Sequence, residues 1–122
     1  MTAVFFAIGA IAALLAVAAG AFGAHALEAR VGADRLEIFE VGARYHMYHA
    51  LGLLAVAWAT TRWPGAATNA AGWLFVAGIL IFSGSLYTIG LGGPRWLGAI
   101  TPVGGTAFIV GWALLAWAGL RG

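Results

Sequence analysis

The chain of 122 residues contains no cysteine and no lysine, and only 8% of its residues are charged. The absence of cysteine excludes disulfides, thiolate metal sites, iron–sulfur clusters and cysteine nucleophiles. Soluble domains carry about a quarter charged residues, so this chain cannot cover itself with a polar surface. Its pI is near 9.7, but the one charged segment, residues 28–44, holds three arginines against four acidic residues. Nucleic-acid binding is therefore not expected.

Apolar residues make up 63% of the chain, and its mean hydropathy is +0.97. A bilayer core of about 30 Å requires roughly 20 apolar residues in helical form. Four segments are predicted to span, at about residues 2–24, 45–61, 70–91 and 102–120. We therefore predict an all-α integral membrane protein, a single domain over residues 1–122, with four transmembrane helices in an up-down-up-down bundle.

The second helix is predicted to begin outside the membrane. Asp34 and Glu37 have the spacing of a capping box, and no proline follows until Pro64. One continuous helix from Asp34 to Thr61 is expected, and its charged start belongs to an amphipathic extension within the segment 26–44. For the last helix, Thr101 before Pro102 predicts an N-cap followed by the first helical residue.

Aromatic and basic residues predict the two membrane interfaces. Tryptophan and tyrosine prefer these interfaces, and here they divide into two groups: Trp63, Trp73 and Trp117 on one side, and Tyr45, Tyr48, Tyr87 and Trp96 on the other. The second side also holds Arg30, Arg35, Arg44 and Arg95, against Arg62 and Arg121 opposite. The positive-inside rule then predicts that the charged loop 26–44 and the loop 92–100 are cytoplasmic.

Polar side chains near the charged loop are predicted to form one layer, made of His25, Arg44, Tyr45, His46, His49, Ser83, Ser85, Tyr87 and Thr101. His46 and His49 share a helical face, and with His25 they could supply the imidazoles of a metal site or a haem ligand. Hydrogen bonding between helices is the favoured reading. No catalytic residue is identified, no cofactor is expected, and a metal stays an open question.

Two further features concern pairing and packing. Glu40 precedes Arg44 by four residues, so a pair within the helix is favoured over binding of an anionic lipid headgroup by Arg44.

Glycines let helices approach closely in a membrane. Those predicted to do so are Gly20, Gly23, Gly84, Gly104 and Gly105.

Four ordered motifs resemble the YgdD-like family of small bacterial inner-membrane proteins. They are the segment from Gly20 to His25, the stretch YHMYHAL from Tyr45 to Leu51, FSGSLY from Phe82 to Tyr87, and ITPVGG with Gly111 and Trp112. The resemblance implies four membrane helices and a multi-pass protein of the bacterial plasma (inner) membrane. The family has no established function, so no activity is implied.

The leading hypothesis is an uncharacterised membrane protein without enzymatic activity that acts as an accessory or interaction subunit. Its expected partners are the lipid bilayer and either a second copy or a larger membrane complex. One alternative is a histidine-based metal, haem or small-ligand site at one membrane interface. Another is an oligomeric channel or transporter.

Overall fold

A computed structural model describes all residues 1–122 and contains four helices. Helix α1 spans Thr2–Glu28, α2 spans Ala33–Arg62, α3 spans Ala66–Gly90, and α4 spans Thr101–Arg121 after a short 3₁₀ segment at Arg95–Ala99. Two helices contain a π-helical turn, at Ala18–Gly23 in α1 and Ile79–Ser83 in α3. The predicted all-α membrane fold is confirmed.

Three helical segments, not four, are long and apolar enough to cross a membrane: Thr2–Glu28, Ala66–Gly90 and Arg95–Arg121. Helix α2 is not among them, so the prediction of four transmembrane helices in an up-down-up-down bundle is wrong. The reason is that the apolar run of α2 covers only residues 50–59, between His49 and Thr60. A run of about 10 residues is typical of a buried core helix.

Helices α1 and α3 pack along α2, whereas α4 packs mainly against α3 and reaches α2 chiefly at His49, through Phe108 and Trp112. Helix α1 is antiparallel to α2: Thr2 contacts Thr60, while Gly23 faces Phe39 near the start of α2. The main apolar core draws on all four helices and consists of Phe5, Leu53, Val56, Ala57, Ala71, Phe75 and Phe108. Helix α2 therefore has neighbouring helices with which its polar residues can pair.

The helix starts differ from the sequence-based expectation. Gly32 occupies the N-cap of α2 and no side chain caps it, so the predicted Asp34–Glu37 capping box is wrong. Asp34 instead forms an ion pair with Arg95, with an N–O distance of 2.7 Å. Thr101 is the first residue of α4 and does not cap it. The continuous helix predicted from Asp34 to Thr61 is confirmed.

Helices α1 and α3 touch near one end and then separate. Phe5 packs against Trp73, with ring centroids 5.2 Å apart, and a Cβ on Gly72 would collide with the Phe5 ring. Beyond this contact a cavity of about 340 Å³ lies between the two helices, with α2 as its floor. The π-helical turn Ile79–Ser83 forms part of its wall.

Candidate functional site

His49 is almost completely buried and both of its ring nitrogens are engaged. Its Nδ1–H donates to the carbonyl oxygen of Tyr45 at 2.7 Å, and its Nε2 accepts a hydrogen bond from the Trp112 indole at 3.0 Å. The imidazole also stacks on Phe108, with ring centroids 3.5 Å apart. This arrangement requires the neutral Nδ1–H tautomer and leaves no nitrogen free for a metal.

His46 lies on the same helix and joins α2 to α3. Its Nδ1 is 2.8 Å from the hydroxyl of Tyr87. Tyr87 packs in turn on Phe39, with ring centroids 4.9 Å apart. The pair formed by His46 and Tyr87 therefore stands at one end of the cavity between α1 and α3.

Hydroxyl groups complete this network of contacts between helices. Ser83, which has no exposed surface, donates to the carbonyl oxygen of Gly42 at 2.7 Å and thus links α3 to α2. The hydroxyls of Ser85 and Thr101 lie 2.6 Å apart and link α3 to α4. No buried side-chain nitrogen or oxygen lacks a hydrogen-bond partner. In a bilayer such bonds hold helices together, because lipid offers no replacement partner.

Three members of the predicted polar layer lie outside this network. The His25 side chain is 83% exposed and only approaches Glu28, at 3.9 Å. Arg44 is exposed and makes no ion pair, so the favoured pairing with Glu40 does not form. Tyr45 contributes its carbonyl to His49, while its ring is partly exposed beside Phe82.

The structure does not bring the three histidines together. His25 ends α1 on the surface, whereas His46 and His49 are buried in α2. No group of three or more histidine, cysteine, aspartate or glutamate side chains is placed to hold a metal ion. The donor set required for the three-imidazole hypothesis is therefore not assembled here.

The glycines predicted to let helices approach closely differ in how near their neighbours lie. Gly104 lies directly against the backbone of Phe82, and a Cβ on Gly23 would come within 3.1 Å of the Phe39 ring. By contrast, Gly20 and Gly105 have their nearest neighbours at 3.9 and 3.7 Å, and Gly84 has nothing within 4 Å. Only Gly104 and Gly23 therefore make close contacts. The loose placement of Gly84 is explained by the cavity that it borders.

Sequence reasoning missed two residues that organise the site. Trp112 supplies the indole N–H for His49; it stands in the α4 motif of the resemblance, but nothing in its spacing indicated this partner. Arg35 donates from Nη1 to the carbonyls of Ile89 and Gly93 at 2.6 and 3.1 Å, which satisfies the end of α3. A basic residue can serve a neighbouring helix end only after folding brings the two together.

Ion pairing and hydrogen bonds of arginines connect the charged start of α2 with the segment that follows α3. Asp34 is exposed, and its hydrogen bond from Arg95 holds the pKa of its carboxyl below the usual value. The Arg95 pair and the Arg35 bonds connect the start of α2 with the segment after α3. Loops 26–44 and 92–100 therefore meet on the same side of the protein.

The outer surfaces of the three candidate spans are apolar. Between 22% and 28% of the most apolar stretch of each span is buried inside the protein, and side chains such as Leu14, Leu80 and Ile109 are 66–71% exposed. Apolar surface of this extent needs lipid or protein to cover it. Together with the hydrogen bonds between helices, it defines a small helical integral membrane protein.

Comparison with known proteins gives the family. Residues 19–105 match the family described as "Protein of unknown function (DUF423)", and the chain belongs to it. UPF0382 membrane protein YwdK of Bacillus subtilis is 52% identical over 70% of this chain and 71% of its own length. UPF0382 membrane protein SSP2132 of Staphylococcus saprophyticus is 48% identical over 92% of each chain. No solved structure matches the chain.

The family and the relatives agree with the expectation of an uncharacterised membrane protein. Their names give no enzymatic activity. The matched family is DUF423, or UPF0382, and the YgdD-like name stays a prediction.

Proposed function

We propose that this protein is a non-enzymatic accessory subunit that docks a helix of another membrane protein, or of a second copy, in a groove between α1 and α2. The groove has a volume of about 310 Å³. Its floor is made of the small residues Ala16, Gly20 and Ala43, and Glu40 and Arg44 stand at its edge. This combination of a small floor with unpaired charges is the observation that carries the proposal.

Small residues favour such docking because helix association in lipid depends on close van der Waals packing. The nearest neighbour of a Cβ on Gly20 is Ala43, at 3.9 Å, so this stretch of α1 leaves space for another backbone. Glu40 and Arg44 form no ion pair with each other or with another residue. Both charges are therefore available to a partner that carries the complementary charges, which would add specificity.

We further propose a bacterial plasma-membrane location, with loops 26–44 and 92–100 on the cytoplasmic face, and membership of the YgdD-like group for this family. The contacts between Asp34 and Arg95 support a common side for the two loops. Four of the six arginines lie on that side. The positive-inside rule then favours the cytoplasm for it.

The absence of cysteine makes the docking groove easy to probe. In a Met47→Cys variant the only thiol stands in the groove, and photoactivated or bismaleimide crosslinking in native membranes should capture one defined partner or a homodimer. Ile109→Cys is the matched control, because Ile109 is 71% exposed on α4 and lies outside the groove. Equal, unspecific crosslinking from both positions would exclude the proposal.

A further inference from the structure

The cavity between α1 and α3 has the properties of a small-molecule site. Its volume of about 340 Å³ is at the lower end of the range of about 300–1,000 Å³ that is usual for ligand pockets. Ile8, Ile11 and Leu15 line it from α1, and Ile79 and Leu80 line it from α3. Ile11, Leu15 and Leu80 are also 52–70% exposed, so the cavity opens sideways between two candidate membrane spans.

Gly84 indicates that the space is maintained by the sequence. Glycine weakens a helix interior relative to alanine, so it usually has a packing reason in a helix. At Gly84 no neighbour requires it, because nothing lies within 4 Å of where a Cβ would be. Gly84 also directly follows the π-helical turn Ile79–Ser83, a distortion often found at functional sites. A side chain at this position would occupy the cavity.

The polar end of the cavity offers a hydrogen-bond acceptor. Nδ1 of His46 lies 2.8 Å from the phenolic oxygen of Tyr87, and both residues line the cavity. A phenolic oxygen has two lone pairs, and the bond with His46 uses at most one of them, whichever of the two atoms is the donor. The other lone pair of Tyr87 can accept a hydrogen bond from the hydroxyl of a ligand.

We propose that this cavity binds a neutral, single-chain lipid alcohol, whose hydroxyl donates to the phenolic oxygen of Tyr87 and whose hydrocarbon tail leaves sideways between α1 and α3. A neutral head fits because no charged side chain lines the cavity. A single chain fits because the volume of about 340 Å³ is at the lower end for ligand pockets. This site shares no residue with the docking groove between α1 and α2.

Farnesol and its methyl ether make the direct test, since they share a chain and differ in the hydroxyl proton. Binding to the purified full-length protein is measured by native mass spectrometry from detergent micelles. Farnesol should bind about 2- to 10-fold more tightly than the ether, the ratio that one net hydrogen bond supplies. In the double variant His46→Phe, Tyr87→Phe the two probes should bind equally, because neither the phenolic oxygen nor the imidazole is left to accept.

Gly84→Leu tests the cavity itself and should abolish binding of both probes. Gly98→Leu is the matched control, because Gly98 also has nothing within 4 Å but lies in the 3₁₀ segment, away from the cavity. Circular dichroism and thermal unfolding should show that both leucine variants stay folded. As a second readout, farnesol should shift the NMR signals of the His46 imidazole in the unmodified protein.

Three results would each contradict a part of this inference. Undiminished farnesol binding by Gly84→Leu would overturn the site. Equal affinity for farnesol and its ether in the unmodified protein would overturn recognition of the hydroxyl and leave a cavity for hydrocarbon alone. Loss of binding in Gly98→Leu as well would assign the effect to general damage and overturn the inference. Failure of any of these tests leaves the crosslinking at Met47 unaffected, so the two proposals can be judged separately.

Discussion

The hydrogen bond from Trp112 to His49 gives the sharpest test of how the helices are held together. Trp112→Phe retains an aromatic ring against Phe75, whose centroid is 4.6 Å from that of the indole, but removes the N–H donor. The Nε2 of His49 then has no partner at a site where the residue is only 4% exposed. The variant isolates one polar contact between α2 and α4.

The expected cost follows from two general magnitudes. A buried polar atom without a partner costs about 1–3 kcal/mol in proteins, and hydrogen bonds between membrane helices average about 0.6 and reach about 1.7 kcal/mol. We expect Trp112→Phe to lower the free energy of unfolding by about 1 kcal/mol. Trp117→Phe is the control and should have little effect, because Trp117 is 56% exposed and makes no side-chain hydrogen bond.

The measurement is the free energy of unfolding by steric trapping in bilayer-like micelles, made for a double-mutant cycle. The cycle pairs Trp112→Phe with His49→Phe, which preserves the stacking on Phe108. Contacting residues should show a coupling of at least about 0.5 kcal/mol. A coupling indistinguishable from zero would refute the assignment of this bond as a link between helices.

Two other predictions concern packing and charge. Gly104→Ala should destabilise the protein by about 1–3 kcal/mol, because the added Cβ overlaps the backbone of Phe82. The neighbouring Gly105→Ala is the control: the nearest atom to its added Cβ is 3.7 Å away, so this change should be neutral or stabilising in the same unfolding assay. Because the hydrogen bond from Arg95 lowers the pKa of Asp34, the ion pair should persist above the ordinary aspartate pKa of 3.8 and be lost as the pH falls through the depressed pKa. Carbon-13 NMR titration should show this loss, and in Arg95→Gln the pKa of Asp34 should move upward. An unchanged Asp34 titration in Arg95→Gln, or equal effects at the two glycines, would contradict the respective argument.

Hydropathy was sufficient to predict the fold class, but not the number of spans. The outer helices have long apolar runs, and these can be read directly from the sequence. Helix α2 breaks the pattern, since Tyr45, His46, Tyr48 and His49 shorten its apolar run, while Tyr87 of α3 and Trp112 of α4 provide hydrogen-bond partners for the two histidines. A count of apolar residues cannot show that neighbouring helices will satisfy the polar ones.

The site residues divide in a similar way. Four residues placed in the polar layer by sequence, namely His46, Tyr87, Ser85 and Thr101, do pair with one another across helices. The pairing of His49 with Trp112 could not be predicted, because it depends on how α4 is rotated about its axis. Local spacing was also misleading near the charged loop, where Asp34 pairs with the distant Arg95. The ion-pair partner of an exposed charge depends on which residues the fold brings near it.

The contact of Phe5 with Gly72 and Trp73 has a geometric consequence. Serine, threonine and histidine side chains link α2, α3 and α4 to each other, whereas Phe5 is where α1 and α3 meet. The gap between α1 and α3 is therefore a wedge that is closed at Phe5 and ends at His46 and Tyr87. A smaller side chain at position 5 would lengthen the wedge toward its closed end.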